Sequence, residues 1–420
     1  MDMTKKALII GAGIIGTSTA LELARRGWLV TVIEQHSGAA QGSTARTSSV
    51  IRCHYTRSEA IVLAHEGATL WDNWQAYLGR SSTRAAYHKT GVLFLMRQGE
   101  GGPPSESLGV KAEMDQHDLD NRMNMMQQAG VEAAFMNQKT LADFLPCFDF
   151  PEDDVVGIWE PNSGFVFPPV DSVLDLQQAA ELAGVQFKFD TKVVNGASAW
   201  KGERRWIQSV TVHNDDGAQE LQADVVVNCA GPASHHINLA MHCPLGIATA
   251  PQRQFICEAT WVNPTSDVPA MADLAEGFYI RPHEEVFKVG AALAADHVNF
   301  STDEAGLITE REKEKFEKRV LASLRKRAPD IEIADVQTKV AFYDWSVSDS
   351  YPILDGTDVG GYYVAIGSSG AWFKSGPVIG QVMAEMIHRE GHGDTNRDFV
   401  LPFTKNTLNF GDFSVRKRLA

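Results

Sequence analysis

Apolar residues along the chain fall into short runs parted by glycine, small and polar residues, and the first such alternation is the most informative. Residues 7–10 are apolar throughout and predict a short buried strand. From residue 14 to residue 26 the apolar positions Ile15, Ala20, Leu21, Leu23 and Ala24 recur at helical spacing, and Gly27 predicts the stop. "WLVTVIE" predicts a second strand closed by Glu34. Further on, residues 225–229 read as a buried strand before Gly231 and Pro232. "YYVAIG" reads as another strand, and "KSGPVIGQVMAEMIHR" as a helix with Pro377 near its start. "GFYIRP", "VFKVGAAL" and "AFYDWS" predict sheet strands. "ITEREKEKFEKRVLASLRKRAP" predicts an amphipathic helix with Phe316, Val320, Leu321 and Leu324 on one side and a solvated charged face opposite. "RQGEGGPPSESLG" has the composition of a surface loop.

One polar position interrupts this pattern. Lys288 stands inside the predicted strand "VFKVGAAL". Lysine is seldom buried without a partner, because taking its charge out of water is costly. Either Lys288 lies on a wet face or something needs a cation there.

The chain has 420 residues, enough for a sizeable core and for two domains. Its net charge of −15 argues against a general nucleic-acid binder and against an anionic membrane surface, since both attract clustered cations. No apolar run approaches the ~20 residues that span a bilayer. The two lysines and apolar residues near the N-terminus break at once into Gly-Ala-Gly, so no signal peptide is read there. Five scattered cysteines without a C-x-x-C pair do not form a disulfide framework, and a reducing, cytoplasmic location is expected. No cluster has metal-ligand spacing, and no metal is expected.

The strand–turn–helix–strand of the first residues carries Gly11, Gly13 and Gly16 as G-x-G-x-x-G. The first glycine permits the tight turn. The second lets a pyrophosphate approach the backbone, and the third lets the helix pack close to the sheet. Free N–H groups and the dipole at the helix start attract phosphate. Glu34, 18 residues beyond Gly16, is placed to accept hydrogen bonds from a ribose. The next segment, "QHSGAAQGSTARTSSVIRCHY", is a loop of small residues rather than another strand–helix unit, which suits FAD better than a nicotinamide cofactor.

With these motifs the chain resembles the FAD-dependent amine and amino-acid oxidases of the D-amino-acid oxidase superfamily, nearest to monomeric sarcosine oxidase, glycine oxidase and sarcosine oxidase β-subunits. The resemblance rests on the order and spacing of "GAGIIG…VIE", "GSTARTSSVIRCHY", "LQADVVVNCAGPAS", "FYIRPHEEVFKVG", "FYDWSVSDSYPILD" and "YYVAIGSSGAWFKSGPVIG", which span almost the whole chain. It implies an α/β (α+β) fold: a Rossmann-like FAD domain of the glutathione-reductase type, interleaved with a mixed-sheet substrate domain. The FAD domain would comprise residues 1–80, 171–240 and 346–420, and the substrate domain residues 81–170 and 241–345.

The resemblance also implies site residues. FAD would be held by Gly11, Gly13, Ile14, Ile15 and Gly16 in the first turn, and by Glu34 and Gln35 after the second strand. Ser43, Thr44, Ala45, Arg46, Ser48 and Ser49 of the small-residue loop would surround it. The backbone of Val193 or Val194 would meet the adenine, and Cys229, Ala230 and Gly231 would return the chain to the cofactor. Gly367, Gly370, Ala371, Trp372, Phe373 and Lys374 would complete the site, with the last helix aiming its N-terminal end at the flavin ring. Arg52 and Lys374 would clamp the substrate carboxylate, Lys288 would activate dioxygen, and His54, Tyr55, Tyr279 and Tyr343 would line the pocket.

Two departures from the family pattern matter. The position of the tethering cysteine falls at Ala341 or Phe342, and that of a tethering histidine near Arg46, so non-covalent FAD is expected. Ser48 and Ser49 replace a basic residue, which makes the flavin's upper face less positive. The implied activity is oxidation of the C–N bond of a small secondary or primary amino acid, sarcosine-like, N-substituted or opine-like, to an imine, with dioxygen reduced to hydrogen peroxide. Two other readings stay open. One is a dehydrogenase for an amino acid or 2-hydroxy acid that feeds a quinone or another carrier, on its own or as one subunit of a hetero-oligomer. The other is a flavin-binding scaffold without turnover. The choice between homo- and hetero-oligomer stays open too.

Overall fold

The structure is a computed structural model and describes residues 5–101, 104–105, 110–263, 268–292, 298–299, 308–415 and 417. The strand Lys6–Ile10 lies at the centre of a six-stranded sheet. Its neighbours are Leu29–Ile33 on one side and Val225–Asn228 on the other, both parallel to it. Gln186–Lys188 and Tyr362–Ile366 extend the sheet in parallel, and Ile353–Gly356 closes one edge antiparallel. Residues 225–228 and 362–366 are buried throughout, as expected where helices cover both faces of a parallel sheet.

The helix Ile14–Arg25 comes directly after the first strand, and the helix Gly376–Glu390 packs across it. At Gly380 an added Cβ would lie 2.6 Å from the Ser18 backbone carbonyl carbon, so only glycine allows this close crossing.

A second sheet, ten-stranded among the described residues, runs Val298–Asn299, Thr249–Trp261, Val286–Ala291, Phe278–His283, Ala270–Asp273, Val92–Gln98, Val155–Glu160, Ala134–Met136, with Ile333–Ser346 paired to Thr249–Trp261 and Glu113–Met114 to Val92–Gln98. The predicted amphipathic helix forms over Glu310–Arg327, capped by a reciprocal Thr309–Glu312 box, and buries Phe316, Val320, Leu321 and Leu324 against this sheet. Arg327 fixes its far end by donating to Asp273 Oδ2 at 2.7 Å and Glu152 Oε2 at 2.6 Å.

Several boundaries differ from expectation. The strand Val92–Gln98 takes the first two residues of the expected surface loop; Pro104–Ser105 pairs as a short strand, and residues 102–103 and 106–109 of that loop lie outside the described residues. The strand holding Lys288 covers Val286–Ala291, with Leu293 outside the described residues. "AFYDWS" is only the end of the strand Ile333–Ser346, whose earlier residues alternate between exposed and half-buried positions and so show no apolar run. No described helix is long and apolar enough to cross a membrane. All five cysteines are free thiols, and no described group of three or more His, Cys, Asp or Glu is placed to hold a metal.

Candidate active site

The first turn is built for close approach. Gly11 has φ +105°, and a Cβ there would lie 2.5 Å from the Cys229 carbonyl oxygen. A Cβ at Gly16 would lie 2.0 Å from the Gly11 carbonyl oxygen, so the helix can leave this turn only without a side chain. Gly13 has only Thr44 Oγ1 nearby, at 3.4 Å, and faces open space. Thr44 Oγ1 accepts from the Ile14 N–H at 3.3 Å, tying the small-residue loop to the helix start. Glu34 braces the turn with Oε2 accepting from Ala12 N–H at 2.8 Å and Oε1 from His36 N–H at 3.0 Å.

Two adjoining cavities of about 440 and 430 Å³ open at this edge and share Gly11, Glu34, Gln35, Ala230 and Ala233 in their walls. Val193 lines the first. Gly13, Ile14, Ile15, Ser43, Thr44 and Arg46 line the second, and Cys229, Gly231, Gly370, Trp372 and Phe373 complete it. The open turn, the terminal acid and an elongated groove fit a dinucleotide. Val194 is instead exposed, Ala45 reaches neither cavity, and Gly16 lies beneath the turn. Gly367, at φ +68°, donates its N–H to Asp344 Oδ2 at 2.6 Å.

Asp344 carries no signal in the sequence. Its Oδ1 accepts from Ser234 Oγ at 2.9 Å, so one carboxyl joins the loops beyond residues 231 and 366, and burial pushes its pKa up to about 7. Gly16→Ala is expected to give a folded chain that purifies without flavin. Far-ultraviolet circular dichroism and the absorbance ratio near 450 and 280 nm check this, and stoichiometric flavin in the variant would refute it.

A smaller cavity of about 90 Å³ adjoins this groove, sharing Thr47, Tyr343, Gly370 and Phe373 with it. Arg52 and Lys374 both lie on its wall, with Ser48, Ser49, Tyr279 and Ala371, and no carboxylate is among the described lining residues. Val92, Phe94, Met271 and Ile280 make the rest largely apolar. Both cations are rigidly held. Arg52 is 5% exposed, donates to the His54 carbonyl, and sits 4.1 Å from the centre of the Tyr55 ring. Lys374 is 4% exposed and donates to Tyr55 Oη at 2.8 Å and to the Ala371 carbonyl. Its own carbonyl accepts from Trp71 Nε1 at 2.7 Å. Burial pushes the Lys374 ammonium well below the usual lysine range, and Arg52 adds to the shift.

Of the four aromatic candidates, Tyr279 and Tyr343 line the cavity, and Tyr279 Oη lies 3.1 Å from Ser48 Oγ. Tyr55 stands behind the two cations, and His54 is fully buried with neither ring nitrogen hydrogen-bonded.

Lys288 is in an interior strand, not at a sheet edge, and is 9% exposed. Its Nζ donates to the Thr47 carbonyl at 2.9 Å and lies 3.6 Å from Glu258 Oε1. Burial, then Arg281 opposite it in the ladder, lower its pKa to about 8. It lines neither cavity but holds the turn at Thr47, a residue on both walls. Thr47, Glu258 and Arg281 had no signal in the sequence, because their roles arise only from cross-strand register and backbone contact. A larger cleft of about 880 Å³ at the opposite ends of the parallel strands carries charges of both signs, among them Lys6, Arg204 and Arg397 with Asp224, Asp355 and Glu390.

A parallel sheet with a glycine turn and dinucleotide groove, set against a second sheet that encloses a small cationic cavity, defines a flavin-dependent oxidoreductase. The chain belongs to the DAO family, described as FAD dependent oxidoreductase, whose model matches residues 6–386. The mitochondrial pyruvate dehydrogenase phosphatase regulatory subunit of Mus musculus is 24% identical over 387 residues, which cover 91% of this chain and 41% of the mouse protein. The chain thus spans about two-fifths of that relative's length. Among solved structures, L-proline dehydrogenase from P. horikoshii superposes with a TM-score of 0.77 at 19% identity, covering 100% of this chain and 99% of that one. Glycine oxidase from Geobacillus kaustophilus does so with a TM-score of 0.71 at 16% identity, covering 96% and 99%. Both show the same fold.

Proposed function

We propose that the chain oxidises the C–N bond of a small secondary or primary amino acid to an imine, with FAD bound non-covalently and dioxygen as the electron acceptor. The observation that carries this reading is the meeting of Arg52 and Lys374, far apart in sequence, on one small cavity without a carboxylate on its described wall. A guanidinium and an ammonium side by side bind a carboxylate and fix the position of the carbon next to it. The same wall offers no counterion to a substrate ammonium, so the amine is favoured in its neutral form. That is the form able to release hydride. A cavity of about 90 Å³ with apolar walls admits only a few heavy atoms beyond the carboxylate. Glycine oxidase and L-proline dehydrogenase, by name, act on amino acids of that size.

The residues around the turn would divide FAD between them. Gly11, Gly13 and the start of the helix Ile14–Arg25 would take the pyrophosphate, Glu34 the ribose and Val193 the adenine side. When bound, the flavin supplies the hydride acceptor. Non-covalent attachment is supported by the absence of a nucleophile at Ala341 and Phe342. It is supported too by the Cys229 thiol, which burial pushes up to about 12 and so keeps protonated. The presence of two separate sheets supports the division into an FAD domain and a substrate domain. The proposed substrate cavity is lined by strand residues of the second sheet and by the loop after Tyr362–Ile366.

The likeness to L-proline dehydrogenase, together with Ser48 and Ser49 in place of a basic residue, favours a second reading in which another carrier takes the electrons. An anaerobic screen of N-methyl, D- and L-amino acids, opines and 2-hydroxy acids tests the first. Loss of flavin colour with an amino acid, followed by peroxide on admitting air, is expected. Reduction by hydroxy acids alone, or by no compound, overturns it.

A further inference from the structure

We propose that Glu160 is a positioning residue, which aims Arg52 into the cavity and sets how tightly a carboxylate is held there. This deepens the clamp reading above and rests on it.

Arg52 comes just after a strand of only two residues, Val50–Ile51, which pairs with Gly164 and Phe165 and then ends. Beyond Ile51 the next backbone N–H groups leave the ladder while buried, and buried donors require acceptors. Glu160 supplies them. Its Oε2 accepts from Cys53 N–H at 2.7 Å and its Oε1 from His54 N–H at 2.8 Å. Ser163 Oγ donates to Oε2 at 2.5 Å. The His54 carbonyl in turn accepts from the Arg52 guanidinium. One residue of backbone therefore links the carboxylate to the guanidinium.

Glu160 is itself fixed. It ends the strand Val155–Glu160, sits opposite Val92 of the cavity wall in the ladder, and is 1% exposed. The direction of Arg52 is thus referred to the same sheet that forms the wall.

Charge adds a second link. The ionisable groups facing Lys374 are Arg52, Tyr55, Cys53 and Glu160. Burial and Arg52 drive the Lys374 ammonium toward its neutral form, whereas Glu160 opposes them. Burial also raises the pKa of Glu160, countered by Ser163, the two N–H groups and Arg52. Arg52 and Glu160 offset one another in charge, and a substrate carboxylate is the further anion that favours the Lys374 ammonium.

The test uses FAD-loaded protein and acetate, a carboxylate that cannot be oxidised, read by the flavin absorbance shift and by titration calorimetry. Glu160→Gln is expected to weaken acetate binding about tenfold or more, the scale of losing a hydrogen-bonded charge. It should raise KM far more than it lowers the limiting rate of flavin reduction. It should also move the loss of acetate binding at high pH to lower pH, because Lys374 loses a negative neighbour that favours its protonated form. A purely structural role would lower stability without moving that pH profile. Unchanged acetate affinity and pH profile in Glu160→Gln overturn the proposal.

If Glu160→Gln does not yield flavin-loaded protein, Glu160→Asp serves instead. It keeps the charge but shortens the reach, so it should weaken acetate and leave the pH profile in place; wild-type affinity there overturns the positioning role. Arg52→Met in parallel separates the two layers. If it leaves acetate affinity unchanged, the clamp itself fails. If it abolishes binding while the Glu160 variants bind normally, only the role of Glu160 fails.

Discussion

Arg52→Met is expected to lower kcat/KM for an amino-acid substrate by about 10²–10³-fold. Hydrogen bonds to charged groups contribute about 1.5–3 kcal/mol each, so a two-point contact is worth about 3–6 kcal/mol. The lower part of that range, at roughly 1.4 kcal/mol per tenfold, gives the expected loss because Lys374 still holds the carboxylate. The guanidinium lies 4.1 Å from the Tyr55 ring centre and 5.2 Å from that of Phe94, and methionine retains much of that apolar contact. The loss should therefore fall on substrate binding rather than on folding. Anaerobic stopped-flow reduction across substrate concentrations separates the two, with KM rising far more than the limiting rate falls. Arg52→Lys should recover only part of the loss, since an ammonium keeps the charge without the planar fork. A substrate amide reduced as fast as the free acid by the wild-type enzyme would remove the basis of this expectation.

How the two cations meet is only partly legible in the sequence. The strand, glycine turn, helix and second strand of residues 6–33 depend on contacts within about thirty residues, and their pattern declares them. Arg52 and Lys374 come together only through the tertiary fold, and only the family resemblance points to them. Glu160 carries no pattern at all. Besides the nearby Ser163 hydroxyl, its partners are backbone N–H groups more than a hundred residues away, which any sequence supplies. Asp344 is similar, since its value lies in joining Ser234 to Gly367.

Burial also hides elements. The helix Ser58–Asp72 is hard to read because it buries Ala60, Ile61, Leu63, Ala64, Ala68, Leu70 and Trp71, along with Glu66 and Gly67, which leaves no single apolar stripe. Glu66 is buried there because it accepts from the Phe403 and Thr404 N–H groups, again a backbone partnership. The strand Ile333–Ser346 is mostly hidden for the opposite reason, as much of its outer half faces solvent. Lys288 stands out because it breaks an apolar run, and the answer to that break lies in three other segments, through Thr47, Glu258 and Arg281.

With dioxygen as the proposed electron acceptor, that lysine is the group expected to speed its reaction. Lys288→Met is expected to slow reoxidation of the reduced enzyme by dioxygen about 10²–10³-fold, the scale of removing one preorganised group that stabilises developing negative charge in a dry site. Flavin reduction by the amino acid should change little, because Lys288 does not line the cavity that holds Arg52 and Lys374 and approaches the flavin groove through Thr47. The wild-type enzyme supplies an independent check through pH. With a pKa near 8, Lys288 is charged below that value and neutral above it. Reoxidation should therefore be fastest below about pH 8 and fall as pH rises through it, and Lys288→Met should abolish that limb. Arg281 contributes to the low value and Glu258 opposes it. Glu258→Gln should accordingly shift the limb to lower pH, and Arg281→Met should shift it to higher pH. Slow wild-type reoxidation without a limb near pH 8 would assign the electrons to another carrier. Lys288 would then serve as the anchor of the Thr47 turn, and its replacement would be read in flavin affinity instead.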